Sequence, residues 1–332
     1  MPEIVITGGA GFIGSNLTIR LVNAGNRVIV VDNLSFGSLS NLDSVINDPD
    51  LKFIKADICR PGVLENACRE ADVIVHLAAY KIPRYGNALK TLNINNDGTK
   101  FVLEQAAKYR LKAVIASTSD VYGKNAGPPF KETDDLVLGP PHIRRWAYAV
   151  SKAFDEQLAL AFYNERELPV VLLRFFGSYG PHNHRSWWGG PQAVFIEQAL
   201  KNEPLTVHGD GRQTRSFCYV SDTVEGIVKA IESREAVGKI INVGSDEEID
   251  INSLAQKIIK LTGSKSEIEY VPYKRLGGDY EDVRRRFPDL TRARQILDFE
   301  PKVPLNEGLG ITIQWQKKMM LAKAESHEYW EE

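Results

Sequence analysis

The chain has 332 residues, 43% hydrophobic and 25% charged, with a formal net charge of -2. That balance fits a globular protein with a large core and excludes a collagen-like, low-complexity or strongly basic nucleic-acid-binding chain. No apolar run is long enough to span a bilayer, and the opening MPEIVITGGAG enters a buried-strand pattern without a basic leader, so a cytoplasmic protein with no membrane or nucleic-acid partner is expected. Cys59, Cys68 and Cys218 form no C-x-x-C pair and read as reduced, buried thiols.

EIVITGG is an apolar run closed by glycines, the mark of a strand buried on both faces. GFIGSNLTIRLVNAG follows with helical spacing, then a second buried strand, RVIVVDN. The alternation continues through LKFIKAD, a helix near 61–70, DVIVHLAA, a helix near 90–109, KAVIAST, a helix near 146–166, and PVVLLRFF. This predicts an α/β fold: a Rossmann-type, doubly wound parallel sheet with right-handed crossovers. After about residue 176 the texture changes to Gly-, His- and Trp-rich segments, short strands PLTVHG and KIINVGS, and the helical INSLAQKIIKLTG. A smaller C-terminal α/β lobe that binds substrate is expected from about 177–210 with 246–332, and the dinucleotide-binding domain from 1–176 with about 211–245.

TGGAGFIG places Gly8, Gly11 and Gly14, with Phe12 and Ile13 between them, where the first strand turns into the first helix. Glycines there let the backbone approach a pyrophosphate, and the helix N-terminus offers free N–H groups and a positive dipole end. Asp32 ends the second strand beside Asn33; a carboxylate there accepts hydrogen bonds from ribose hydroxyls and repels a 2′-phosphate, which favours NAD over NADP. Asp57 and Ile58 end the third strand and flank the adenine in this reading. Leu77, Ala78 and Ala79 end the fourth, leaving room for a cofactor to pass. Tyr148 and Lys152 in YAVSK lie one turn apart on one helical face, so the ammonium lowers the phenol pKa. A hydroxyl of Thr118 or Ser119 donates to the oxygen that exchanges the proton.

With those motifs in view, the chain resembles the extended short-chain dehydrogenases/reductases that modify nucleotide sugars. The resemblance is carried by TGGAGFIG, HLAA, STSDVYG, YAVSK, LRFFGSYGP and GDGRQTRSFCYVSD, and runs to about residue 315. It implies a retained NAD, a UDP-sugar or other nucleotide-sugar substrate, removal of the sugar 4-hydroxyl proton by Tyr148, and a homodimer through the helices near 90–109 and 146–166. It also implies that Arg215 holds the diphosphate with Arg286 as a second clamp, and that the strand of Thr206 and His208 lines the base. The resembling chains commonly have Asn where Gly177 stands.

Ser119-Asp120 separates the reactions of this family. The 4,6-dehydratases carry Asp-Glu there; UDP-glucuronate decarboxylases carry Glu at position 120 with an Arg near the C-terminus, which Arg286 matches; 4-epimerases often carry Ser or Ala and need no further acid. The expectation leads with a UDP-glucose/UDP-galactose type 4-epimerase, with a UDP-glucuronate decarboxylase as the alternative. A dehydratase and a catalytically silent NAD-binding regulator stand further back. Asp120 is expected to orient a sugar hydroxyl or the loop, with direct proton transfer as the second reading. Lys81 and Arg84 near the sugar point towards an acidic one. His182 and His184 have no acid or thiol cluster around them, so no metal is expected; Trp187 and Trp188 either stack on a ligand or pack the lobe.

Overall fold

The computed structural model describes residues 2–81, 87–276 and 281–328. Its centre is a seven-stranded parallel sheet built from β1 (Glu3–Thr7), β2 (Arg27–Asp32), β3 (Leu51–Lys55), β4 (Val73–His76), β5 (Lys112–Thr118), β6 (Val170–Phe175) and, after four short strands, β11 (Lys239–Val243). The strand order is β3-β2-β1-β4-β5-β6-β11, so the chain reverses direction across the sheet between β1 and β4. In such sheets ligands bind at the carboxyl ends of the strands beside that reversal.

The strands read as unbroken apolar runs because both faces are covered. Ile4, Ile6, Val28, Val30, Val171 and Leu173 pack into one core, with α1 (Phe12–Val22) and α6 (Val220–Glu232). Their alternates Val5, Ile29, Val31, Val170 and Leu172 pack into the other, with α2 (Val63–Cys68), α3 (Ala88–Tyr109) and α4 (Trp146–Arg166). The period of two along each strand is the doubly wound architecture written in side chains. Gly25 ends the first helical turn region at φ +80, where a side chain would be strained.

Outside this sheet lie β7 (Ser178–Tyr179), β8 (Leu205–His208), β9 (Thr214–Ser216), β10 (Cys218–Tyr219), β12 (Glu248–Asp250), β13 (Ile268–Val271) and β14 (Arg285–Arg286). They form three small sheets, β10-β7, β12-β9-β14 and β13-β8. Helices α5 (Pro191–Leu200) and α7 (Ile251–Thr262) pack on each other and on β8. The chain exchanges between the two parts less tidily than its texture suggests. Strand β9 belongs to a small sheet, whereas α8 (Thr291–Leu297) packs back on β11 and α6. The last helix, α9 (Leu305–Glu328), lies against α5, α7 and β10. Among the described residues no helix is long and apolar enough to cross a membrane. Cys59, Cys68 and Cys218 are free, the last two buried.

Candidate active site

The turn between β1 and α1 is shaped for a close visitor. Gly8 has φ +75 and lies against the backbone of Leu77 and Ala78, and a Cβ on Gly14 would sit 2.1 Å from Gly8 O. Gly11 caps α1 with no side chain, and no acid lies in the first turn, so the first N–H groups and the positive helix end face the cleft. Asp32 is 8% exposed; its Oδ2 accepts from Ala10 N at 3.0 Å and its Oδ1 from Leu34 N at 2.8 Å. Each carboxylate oxygen has a second lone pair for a ribose hydroxyl. Asn33 Oδ1 caps Ser35, Asp57 Oδ1 caps Cys59 N, and Ile58 is buried beneath them. Leu77 N bonds Thr7 O at 3.0 Å, which fixes the 77–79 segment alongside Gly8. These residues fit a dinucleotide by space, donors and acceptors alike.

A cavity of about 290 Å³ continues from this cleft. Phe12 and Ile13 open it, and Thr118, Ser119, Asp120 and Tyr148 form one wall at the end of β5. Thr118 Oγ1 accepts from Asp120 N at 3.2 Å and caps the short 3-10 turn Ser119–Tyr122, which aims Asp120 inward. The Tyr148 pKa is raised by burial and by the charges of Asp120 and Asp155; the Thr118 hydroxyl and Arg286 oppose this. Lys152 lies below, 2% exposed and ion-paired to Asp155 at 3.1 Å.

The opposite wall carries charge. Among the described residues, Lys81, Arg145, Arg215 and Arg286 line the cavity with Asp120 and Asp282 as the acids. Parallel pairing of β9 with β14 sets Arg215 beside Arg286, two residues far apart in the chain. Arg286 Nη1 pairs with Asp120 Oδ1, and Arg145 Nη2 stands 3.6 Å from the same oxygen. Burial would raise the Asp120 pKa, but these two guanidiniums hold it down at about 2. Asp282 Oδ1 takes Arg145 at 3.2 Å and Arg215 at 2.9 Å, and Asp282 Oδ2 takes the Tyr273 hydroxyl at 2.9 Å.

The chain belongs to the NAD-dependent epimerase/dehydratase family. The family model described as "NAD dependent epimerase/dehydratase family" matches residues 4–244. The UDP-N-acetyl-alpha-D-glucosaminuronate decarboxylase of Bacillus cytotoxicus is 38% identical over 318 residues, 95% of this chain and 98% of that one. UDP-glucuronic acid decarboxylase 1 of Danio rerio is 38% identical over 315 residues, 94% of this chain and 72% of that one. The solved UDP-glucuronic acid 4-epimerase of Bacillus cereus, in complex with UDP-glucuronic acid and NAD, superposes with a TM-score of 0.86 at 28% identity, covering 96% of this chain and 99% of that one. This family member is therefore an enzyme of the nucleotide-sugar epimerase/dehydratase/decarboxylase group, and its cofactor is NAD.

Most residues singled out from the sequence meet at this one place, and some do not. Thr206 does not line the cavity: it lies two residues down β8 from His208, with its N–H and hydroxyl bonded to Gln198 of α5. Arg84 lies outside the described residues. Arg284 and Arg285 face outward on Asp210 and Glu248. Trp187 lines the cavity, stacked on His208 at 3.9 Å, whereas Trp188 packs outside it against Phe36 and Tyr80. His182 and His184 are taken up by Ser15 and Ser186. Arg145 and Asp282 were missed. Arg145 had a signal, since it lies three residues before Tyr148 and hence on the same helical side. Asp282, in an irregular charged stretch, had none.

Proposed function

We propose that this enzyme is an NAD-dependent decarboxylase of a UDP-linked uronic acid, glucuronate or its N-acetylated amino counterpart. The observation that carries the reading is the convergence of Arg286 and Arg145 on Asp120 beside Tyr148, with Lys81 on the same cavity. A neutral hexose has no use for that surplus of cations; a carboxylate on C5 does. The sequence reading placed 4-epimerisation first because it demands the fewest groups and because Asp120 departs from the Glu of decarboxylases. In the structure Asp120 pairs with Arg286, and that pairing and the decarboxylase relatives support the shift.

Bound NAD supplies a reversible hydride acceptor for the sugar C4. Gly8, Gly11, Gly14 and Asp32 hold its phosphates and ribose, and Lys152 its nicotinamide ribose. Tyr148 takes the 4-hydroxyl proton, with the Thr118 or Ser119 hydroxyl steadying the oxygen. The resulting 4-ketone is β to the C6 carboxylate, so the C5–C6 bond breaks with its electron pair passing into an enolate on O4. Hydrogen bonds from Tyr148 and the Thr118 side meet that developing charge. Arg286 orients the carboxylate, and Asp120, ionised and held by two guanidiniums, orients Arg286. Carbon dioxide leaves, C5 takes a proton from water, and Tyr148 returns its proton to O4 as the hydride would pass back to C4, so that the pentose forms and the cofactor would end as NAD. Arg215 clamps the diphosphate, and the Trp187–His208 stack offers the base a flat platform.

We also propose a homodimer through α3 and α4, where Leu89, Val150, Phe154 and Tyr163 are exposed. The substrate assignment is tested by incubating the enzyme with UDP-glucuronate, UDP-N-acetylglucosaminuronate and UDP-glucose. Carbon dioxide release with a pentose-nucleotide or amino-pentose-nucleotide product is expected from the acidic sugars. Formation of a 4-epimer without carbon dioxide would sink the reading in favour of an epimerase.

A further inference from the structure

Beneath the catalytic tyrosine lies a charged pair whose anion the mechanism above leaves unused. Lys152 and Asp155 sit one turn apart on α4, 2% and 1% exposed, with Nζ and Oδ2 3.1 Å apart. The other oxygen, Asp155 Oδ1, is buried without a hydrogen-bond partner among the described residues. The Thr99 hydroxyl of α3 hydrogen-bonds the Asp155 carboxylate and also contacts His76 Nε2 at 3.2 Å, and His76 Nδ1 bonds Thr7 at 2.7 Å.

As a stabilising device this arrangement is poor. Burying two charges costs as much as or more than their attraction returns. The location explains why a charge stands here. An ammonium has three N–H donors; Asp155 takes one and so fixes the rotamer of Lys152, leaving the others for the cleft. Its negative charge also offsets the positive charge that Tyr148 feels.

We infer that Asp155 is a positioning residue: the buried counter-ion that fixes Lys152 and sets the pH at which Tyr148 works. The inference rests on the reading of Tyr148 as the proton-transfer group. The other groups facing these three side chains are paired or neutral. Asp120 and Arg286 face Tyr148 and are paired with each other. His76 faces Lys152 and stays neutral, its pKa pushed to about 3 by burial and by Lys152. Glu156, next to Asp155, is held by Arg174 at 2.7 Å. A change at Asp155 therefore acts on Tyr148 directly by its charge and also through Lys152, which it holds at 3.1 Å.

Asp155→Asn keeps the shape and removes the charge. The tyrosinate absorbance of the NAD-free protein, read against a Tyr148→Phe background, should then titrate about one pH unit lower, and the alkaline shift needed for kcat should fall with it. Asp155→Glu, which keeps the charge, should return both towards the parent values. Asp155→Ser serves in place of the Asn variant if that chain does not fold. Unmoved midpoints in folded Asn and Ser variants overturn the inference, as does an equal shift in the Asn and Glu variants, which would trace the effect to packing. Near-normal turnover of Tyr148→Phe is a different failure: it would remove the underlying assignment of Tyr148 rather than the role of Asp155.

Discussion

Replacing Arg286 by methionine tests the central electrostatic claim. Methionine retains most of the apolar stem and removes the guanidinium. Arg286 is 19% exposed, between surface and interior. Two opposite unit charges about 4 Å apart at an effective dielectric of about 20 attract by about 4 kcal/mol. If that attraction is realised on the substrate carboxylate through the transition state, kcat/KM on UDP-glucuronate should fall about a thousandfold. Asp120 keeps Arg145 at 3.6 Å, so the loop should not collapse. Carbon dioxide release gives the rate, and calorimetry gives the affinity for UDP-glucose, which lacks the carboxylate and should bind about as well as before. A loss under about tenfold, or an equal loss of affinity for UDP-glucose, would refute the argument.

Tyr148→Phe should retain NAD on purification yet lose about a hundredfold or more in turnover, measured by product formation. Asp120→Asn should raise KM for acidic sugars by freeing Arg286, and should leave any acid limb of the pH profile near neutrality in place. That follows because the Asp120 pKa of about 2 keeps it ionised there. For the same reason, the stability Asp120 contributes is complete above its unfolded pKa of about 3.9 and is lost as pH falls through about 2, visible by circular dichroism. Gly177→Ala would place a Cβ 2.1 Å from Ser216 O at φ +50, so a loss of about 2 kcal/mol in stability is expected from thermal unfolding. Asp32→Ala should weaken NAD without gaining NADP, because the carboxylate also holds the N–H groups of Ala10 and Leu34; titration of both cofactors checks this.

The Rossmann half was legible because its signals are local. Buried parallel strands write apolar runs, and the glycine turn must fall between a strand and a helix. Tyr148 and Lys152 were legible for a similar reason, one helical turn being a fixed spacing. The cationic wall was only half visible. Arg215 and Arg286 came from resemblance, but their adjacency is a product of strand pairing that no short window contains. Asp120 was weighed as a departure from the Glu of decarboxylases, whereas its partner depends on where β14 brings Arg286. Thr206 and His208 both came from resemblance, yet α5 claims Thr206, because which depth of a strand meets the cavity is decided by packing.

The parallel pairing of β9 with β14 has a consequence for chain length. Arg285 and Arg286 alternate sides: one meets Glu248 in solvent, the other Asp120 in the cavity. Since a strand's side chains swap faces with every residue of slip, removing or adding a single residue ahead of β14 would trade one arginine for the other. The number of residues in that connection thus acts as a ruler, and a lineage could silence or retune this cavity by an indel without altering any side chain that lines it.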